Sequence, residues 1–234
     1  MEINKIYNED NLETMAKMPS DFVDLIITSP PYEDISGAGY GAKSKDILFI
    51  KFYSDYLSKL FAGYKRILKP NGQIFFNIKS KTFDKTLRTP HWIEFLNEFT
   101  DLKLKSYIIW KYSGSFDSSN KRFHLDYEII YHLSKGDDIY LNEDCGIHDP
   151  LSSVWNIPHN IPKNERLHPT QMPEALVDRI LKVACRPTDL VYDSFMGSGT
   201  TAVVCKKNNI NWIGSELNPI NFDNANKRLN SFLI

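Results

Sequence analysis

Cysteine is scarce in this chain: Cys145, Cys185 and Cys205 stand far apart, with no Cys-x-x-Cys pair and no Cys/His spacing suited to a tetrahedral metal site. That pattern argues against a zinc ribbon or a disulfide framework and predicts three reduced structural thiols and no metal. Long apolar runs are missing too. None approaches the ~20 residues that cross a bilayer, and the N-terminus lacks the basic-then-apolar order of a secretory signal. The expectation is a soluble, cytoplasmic chain with no membrane partner. Net charge is nearly absent, at −1 over 234 residues, so no global field marks the chain for a polyanion. Among 11 glycines, two groups stand out, at 37–41 and at 197–199. No Gly-Lys-Ser/Thr follows them, which removes the usual P-loop.

What is present is alternation. Strand-like apolar segments fall at 3–7, 23–28, 73–78, 105–112, 126–133, 190–193 and 212–215, and helical patterns at 10–18, 50–69, 89–99, 172–186, 199–208 and 218–230. Strands alternating with helices predict an α/β fold, a mostly parallel sheet covered on both faces. No helix separates 105–112 from 126–133, so these two form an antiparallel pair at one edge. Asn71-Gly72 marks the entry to the third strand, and Pro173 suits the first turn of its helix. The length fits one domain, 1–234.

Two motifs carry chemistry. The strand-like run 22–27 leads into Thr28-Ser29-Pro30-Pro31-Tyr32. The proline pair ends the strand, because neither ring nitrogen can donate to a ladder, and holds its neighbours extended. Ser29 and the Pro30 carbonyl become fixed acceptors beside a tyrosine face, a clamp suited to a flat ring with an exocyclic amine. A tight turn with a half-buried tyrosine accounts for the same five residues. The second motif follows the strand 190–193: Ser194-Phe195-Met196-Gly197-Ser198-Gly199-Thr200-Thr201 opens a helix. A strand, glycine turn and helix start present backbone N–H groups to an anion or carboxylate. The next strand ends at Glu216, whose carboxylate can accept ribose hydroxyls roughly 20 residues after the turn. A dinucleotide fold also fits Gly197-x-Gly199-x-x-Ala202, but it normally places most of its sheet after the turn, and here the turn comes late.

With both motifs in hand, the chain resembles the S-adenosylmethionine-dependent amino-methyltransferases of DNA, in the permuted β group whose Pro-Pro-Tyr motif precedes the cofactor loop. Asp193 to Thr201 matches the family's Asp-Pro-Phe-x-Gly-Ser-Gly-Thr-Thr, with Ser194 in place of proline. His168-Pro169-Thr170-Gln171-Met172-Pro173 is similar to its His-Pro-Thr-x-Lys-Pro segment, with Met172 for lysine. Ile6 to Leu12 resembles the strand and acidic turn near the cofactor's adenine, with Glu9 where glycine is common. Arg66 to Gly72 resembles the connection after the catalytic motif.

The resemblance implies a seven-stranded Rossmann-like fold and a site-specific DNA methyltransferase acting on a flipped-out base, with no covalent enzyme intermediate. Ser29, Pro30, Pro31 and Tyr32 become catalytic. Ser29 Oγ and the Pro30 carbonyl accept the two amine protons, and Tyr32 stacks on the base. Asp193 and Phe195 frame the methionine part of the cofactor, and Gly197, Ser198, Gly199, Thr200 and Thr201 its amino and carboxylate groups. Glu216 takes the ribose, with Asp10, Asn11, Leu217 and Asn218 near the adenine side. Ser29, His168 and Thr170 lie beside the same loop. Ser-Pro-Pro-Tyr is commoner among cytosine-N4 enzymes of the family and Asp-Pro-Pro-Tyr among adenine-N6 enzymes, so cytosine N4 is the expected target. Adenine N6 is the first alternative, then an RNA or protein-amide methyltransferase. Methylation at cytosine carbon-5 would need a cysteine nucleophile, normally after proline, and these cysteines follow Asp144, Ala184 and Val204.

Double-stranded DNA is the expected partner, with a restriction endonuclease as companion and a monomer or homodimer as assembly. Charge is unevenly spread: residues 1–34 carry two lysines and eight acids, whereas 79–122 carry nine bases and five acids. Lys79, Lys81, Lys85, Arg88, Lys121 and Arg122, near Phe83, Trp92, Phe116 and Phe123, fit phosphate contact and base stacking, and fit solvated loops equally. Residues 33–46 read as a loop that closes over the site. Residues 134–166 occupy the place of the family's target-recognition region, or form a plain connector.

Overall fold

The computed structural model describes residues 1–30, 47–78, 81–83, 86–88, 100–112, 123–124, 126–159, 161, 167 and 171–231. The chain runs β1 (Lys5–Tyr7), α1 (Asn11–Ala16), β2 (Val23–Thr28), α2 (Ile47–Ile67), β3 (Leu68–Ile78), β4 (Lys81–Phe83), β5 (Thr86–Arg88), β6 (Lys103–Lys111), β7 (Tyr127–Ser134) and β8 (Val154–Asn156). It continues through α3 (Glu174–Ala184), β9 (Leu190–Asp193), α4 (Thr200–Lys207), β10 (Asn211–Ser215) and α5 (Pro219–Asn230). Eight strands form one sheet in the order β1-β10-β9-β2-β3-β7-β6-β8, and β4 and β5 pair separately. Within the large sheet every pairing is parallel except the two made by β7. Late strand β9 lies directly beside early strand β2, with Leu25 opposite Val191 and Ile26 opposite Tyr192.

Alternation of side chains splits the core in two. Leu25, Ile27, Phe75, Trp110 and Ile130 point to the face covered by α3, α4 and α5, meeting Val177, Ile180, Val203 and Ala225. Ile26, Ile74, Phe76, Tyr131 and Tyr192 point to the face covered by α1 and α2. Leu57, Leu60, Phe61, Tyr64 and Ile67 recur every three or four residues along α2, so one stripe of that helix is buried. Each such side chain contributes about 1.5–3 kcal/mol. A central strand wrapped in this way reads as a continuous apolar run, as β2 does. No helix among the described residues is long and apolar enough to cross a membrane.

Two differences from the expected pattern stand out. The sheet has eight strands rather than seven, because β8, from the 134–166 segment, pairs parallel to β6 and takes the edge expected for the β6–β7 pair. Only Trp155 of its three residues is buried, while Val154 is 51% exposed, too short an alternation to register as a strand. Helix α2 passes straight into β3 at Leu68, five residues before the expected start, and 69–72 bulge out between the pairs Val23–Leu68 and Leu25–Gln73. The helix expected at 89–99 and the loop 33–46 lie outside the described residues.

Candidate active site

Strand β9 delivers Asp193 to the end of the sheet, where the chain turns through 194–199 into α4. The turn needs two left-handed residues, Gly197 at φ 54° and Gly199 at φ 79°, the latter serving as N-cap of α4. A Cβ on Gly199 would sit 3.0 Å from the Cβ of Ala225, so this glycine also lets α5 pack against the turn. A Cβ on Gly197 would meet nothing nearer than the Phe195 carbonyl at 3.8 Å, so the turn is open there. Glu216, at the end of β10, reaches back: its Oε2 accepts from the Gly197 amide at 2.7 Å and its Oε1 from the Asn218 amide at 2.9 Å. The first bond joins the ends of β9 and β10 across one carboxylate.

Asp193 is buried and accepts from the Thr201 hydroxyl (2.6 Å), the Phe195 amide (3.0 Å) and the Thr28 hydroxyl (3.1 Å). Burial pushes its carboxyl up to about 6, against those three bonds, and nearby Glu216 adds to the rise. Thr28 is the last residue of β2, immediately before Ser29 and Pro30, and its Oγ1 also lies 3.0 Å from Ser194 Oγ. The end of the early strand is thus bonded to the late turn. Ser194 stands where the resembling motif has proline, and its buried hydroxyl meets Tyr64 from α2 at 2.5 Å, a contact proline could not make.

Several residues expected at the site are committed to the protein itself. Asp10 caps α1 by accepting from the Leu12 amide at 2.7 Å, and Asn218 caps α5 by accepting from the Ile220 and Asn221 amides. Buried Asn11 donates to the Ser194 carbonyl at 3.2 Å and to Tyr56 at 2.9 Å, which brings α1 to the turn. Thr201 is wholly buried on Asp193, Ser198 lies 3.4 Å from Thr200 Oγ1, Phe195 packs on the α1–α2 core, and Leu217 is exposed. Pro31, Tyr32, His168, Thr170, Lys79, Lys85, Lys121 and Arg122 lie outside the described residues. The backbone places Lys81 opposite Arg88 across the β4–β5 pair.

The sequence reading missed Arg228. From α5 it donates to the Ser198 carbonyl (3.2 Å), the Thr200 hydroxyl (3.1 Å) and Glu174 of α3 (2.7 Å), and Thr200 in turn donates to the Met172 carbonyl (3.2 Å). No spacing signals a residue that is remote in sequence from the turn it braces. Cys185 and Cys205 are buried free thiols, and burial raises both, Cys185 to about 12, so neither is a ready nucleophile. Among the described residues no group of three or more His, Cys, Asp or Glu could hold a metal ion.

A family model for DNA methylases of the N6/N4 type matches residues 23–227. Type II methyltransferase M.BglII of Bacillus subtilis is 29% identical over 244 residues, covering 92% of this chain and 66% of that protein. DNA adenine methyltransferase YhdJ of Escherichia coli K12 is 29% identical over 251 residues, covering 93% and 79%. The chain therefore spans just under two thirds of M.BglII. Among solved structures, the cytosine-N4-specific PvuII DNA methyltransferase superposes with a TM-score of 0.83 at 18% identity, over 96% of this chain and 85% of that one, and shares the fold. M1.HpyAVI in complex with SAM superposes with a TM-score of 0.71 at 25% identity, over 97% and 98%. The family match runs from the first residue of β2 through the glycine turn and into α5, and this chain belongs to the N6/N4 DNA methylase family.

Proposed function

We propose that this protein transfers a methyl group from S-adenosylmethionine to the exocyclic N4 of a flipped-out cytosine in double-stranded DNA, within a restriction-modification system. The observation that carries the reading is the pair of contacts from Thr28 to Asp193 and Ser194, which locks the strand leading to Ser29-Pro30 against the glycine turn. The residues fit the cofactor: the turn leaves open space at Gly197, and Glu216, which accepts from the Gly197 and Asn218 amides, keeps further lone pairs for ribose hydroxyls.

S-adenosylmethionine supplies an electrophilic sulfonium methyl. An aromatic amine is a poor nucleophile because its lone pair is delocalised into the ring. Ser29 Oγ and the Pro30 carbonyl accept hydrogen bonds from the two amine N–H groups, hold the nitrogen toward tetrahedral geometry and aim the lone pair at the methyl; as the N–C bond forms and the S–C bond breaks, one amine proton leaves to solvent. Charge moves onto the amine during transfer, so acceptors fixed in advance stabilise the transition state more than the ground state. Tyr32 replaces part of the base's lost stacking, about 1–3 kcal/mol. Phosphate contacts fall to Lys79, Lys81, Lys85, Arg88, Lys121 and Arg122.

Serine before the proline pair favours cytosine, whose amine needs less help from a charged acceptor than that of adenine. The relative YhdJ, a DNA adenine methyltransferase, favours adenine N6 as the second reading. Treating unmodified DNA with the purified protein and S-adenosylmethionine, digesting to nucleosides and weighing the products separates them. N4-methylcytosine is the expected product, and N6-methyladenine alone rejects the cytosine assignment.

A further inference from the structure

A second polar group, outside the proposed catalytic and cofactor residues, lies at the same end of the sheet. Asn77 near the end of β3, Glu128 at the start of β7 and Tyr112 just past β6 are 3%, 8% and 9% exposed. The Asn77 amide donates to Glu128 Oε2 at 2.8 Å, and the Tyr112 hydroxyl to Glu128 Oε1 at 3.4 Å. Burying a carboxyl group costs free energy that its hydrogen bonds must offset, so apolar packing alone does not explain Glu128.

Register places this group beside the clamp. Thr28 of β2 pairs with Phe76 of β3, so Ser29 and Asn77 stand at the next level of neighbouring strands. Phe75 lies on the core face covered by α3–α5, and Asn77, two residues on along β3, falls on that same face, while Ser29 follows the last residue of β2. On the far side the Tyr112 ring lies 5.2 Å from Trp110 and 6.0 Å from His159, and the Trp110 indole donates to the Ile157 carbonyl at 2.8 Å. The chain of contacts therefore runs from beside Ser29 to the 134–166 segment.

We propose that Glu128 is a positioning residue for methyl transfer: by accepting from Asn77 and Tyr112 it fixes the side wall of the target-base pocket next to Ser29. With its donor end held by Glu128, the Asn77 side chain keeps one orientation, and the base is seated with its amine in line with the methyl group. This rests on the base-methylating reading above.

The test compares wild type with Glu128→Ala, Glu128→Gln and Asn77→Leu. It reads kcat and KM for radiolabelled methyl transfer to unmodified DNA, with S-adenosylmethionine affinity by calorimetry. Misplacement by about 1 Å costs up to roughly a hundredfold in rate, so Glu128→Ala is expected to lower kcat about ten- to a hundredfold while cofactor Kd stays within about twofold of wild type. Glu128→Gln still accepts from Asn77 and can donate to the Tyr112 oxygen, so it recovers most of kcat. Asn77→Leu keeps the volume, loses the amide and slows transfer as Glu128→Ala does, which decides the matter should the alanine variant fail to fold. Wild-type kcat in Asn77→Leu, no recovery in Glu128→Gln, or a loss that follows weakened cofactor binding overturns the proposal. A wild-type protein that methylates no base would instead overturn the function on which the proposal rests.

Discussion

Replacing each glycine of the turn by alanine separates a packing task from the proposed cofactor-binding one. At Gly199 a φ of 79° costs alanine about 1–2 kcal/mol. Its Cβ would also lie 3.0 Å from the Cβ and 3.3 Å from the Cα of Ala225. The second atom is helix backbone, so α5 must move, and overpacking of this kind costs about 1–3 kcal/mol. Together Gly199→Ala loses about 2–5 kcal/mol, a fall in Tm of roughly 4–20 °C for a chain of this size. Gly197 at φ 54° carries only the conformational cost, since its nearest neighbour would be 3.8 Å away. Its alanine methyl, however, occupies the open side of the turn, the space proposed for the cofactor. Thermal unfolding and calorimetric titration with S-adenosylmethionine read the two effects separately: Gly199→Ala melts earliest, and Gly197→Ala melts only about 2–8 °C below wild type but binds at least about tenfold more weakly. Wild-type cofactor affinity in Gly197→Ala would refute the placement of the ligand over this turn.

Two further predictions concern the sheet. Burial lowers the His132 imidazole to about 4, where it stacks on Phe75 at 4.5 Å and pairs with Gln73 Oε1 at 2.9 Å, so its contribution to stability is present above pH 6.5 and lost as pH falls through 4. The ceiling is about 3 kcal/mol. Raised Asp193 has the opposite sign: its contribution is full below pH 3.8 and lost as pH rises through 6. In urea unfolding between pH 7 and 4, His132→Gln therefore gains stability relative to wild type as pH falls and Asp193→Asn loses it; equal slopes in all three would refute both assignments. Thr28→Val keeps the shape but deletes the hydroxyl that bridges Asp193 and Ser194, and is expected to cost about 1–3 kcal/mol in the same assay. A value indistinguishable from wild type would mean that the β2–β9 ladder alone joins the two motifs.

Much of this arrangement is legible along the chain because it is repetitive or punctuated. Strands such as β2 and β9 announce themselves by apolar runs, α3 by its buried stripe Leu176, Val177, Ile180 and Leu181, and the turn after β9 by glycines that a left-handed backbone requires. What escaped are pairings between distant residues. Tyr64 and Ser194 are 130 positions apart and Arg228 and Ser198 are 30 apart, and neither pair leaves a periodic trace. Strand β8 escaped because three residues cannot establish an alternation. Asn77, Glu128 and Tyr112 sit within strand-like runs whose apolar neighbours hide them, and only the fold brings them together.

The most direct measurement pairs calorimetric titration of S-adenosylmethionine with turnover on DNA for wild type, Glu216→Ala and Tyr32→Ala. If the glycine turn and Glu216 hold the cofactor while the end of β2 presents the base, Glu216→Ala loses cofactor affinity and Tyr32→Ala binds as wild type does but turns over slowly. Intact binding in Glu216→Ala together with lost binding in Tyr32→Ala would show that the two halves of the site have been assigned the wrong way round.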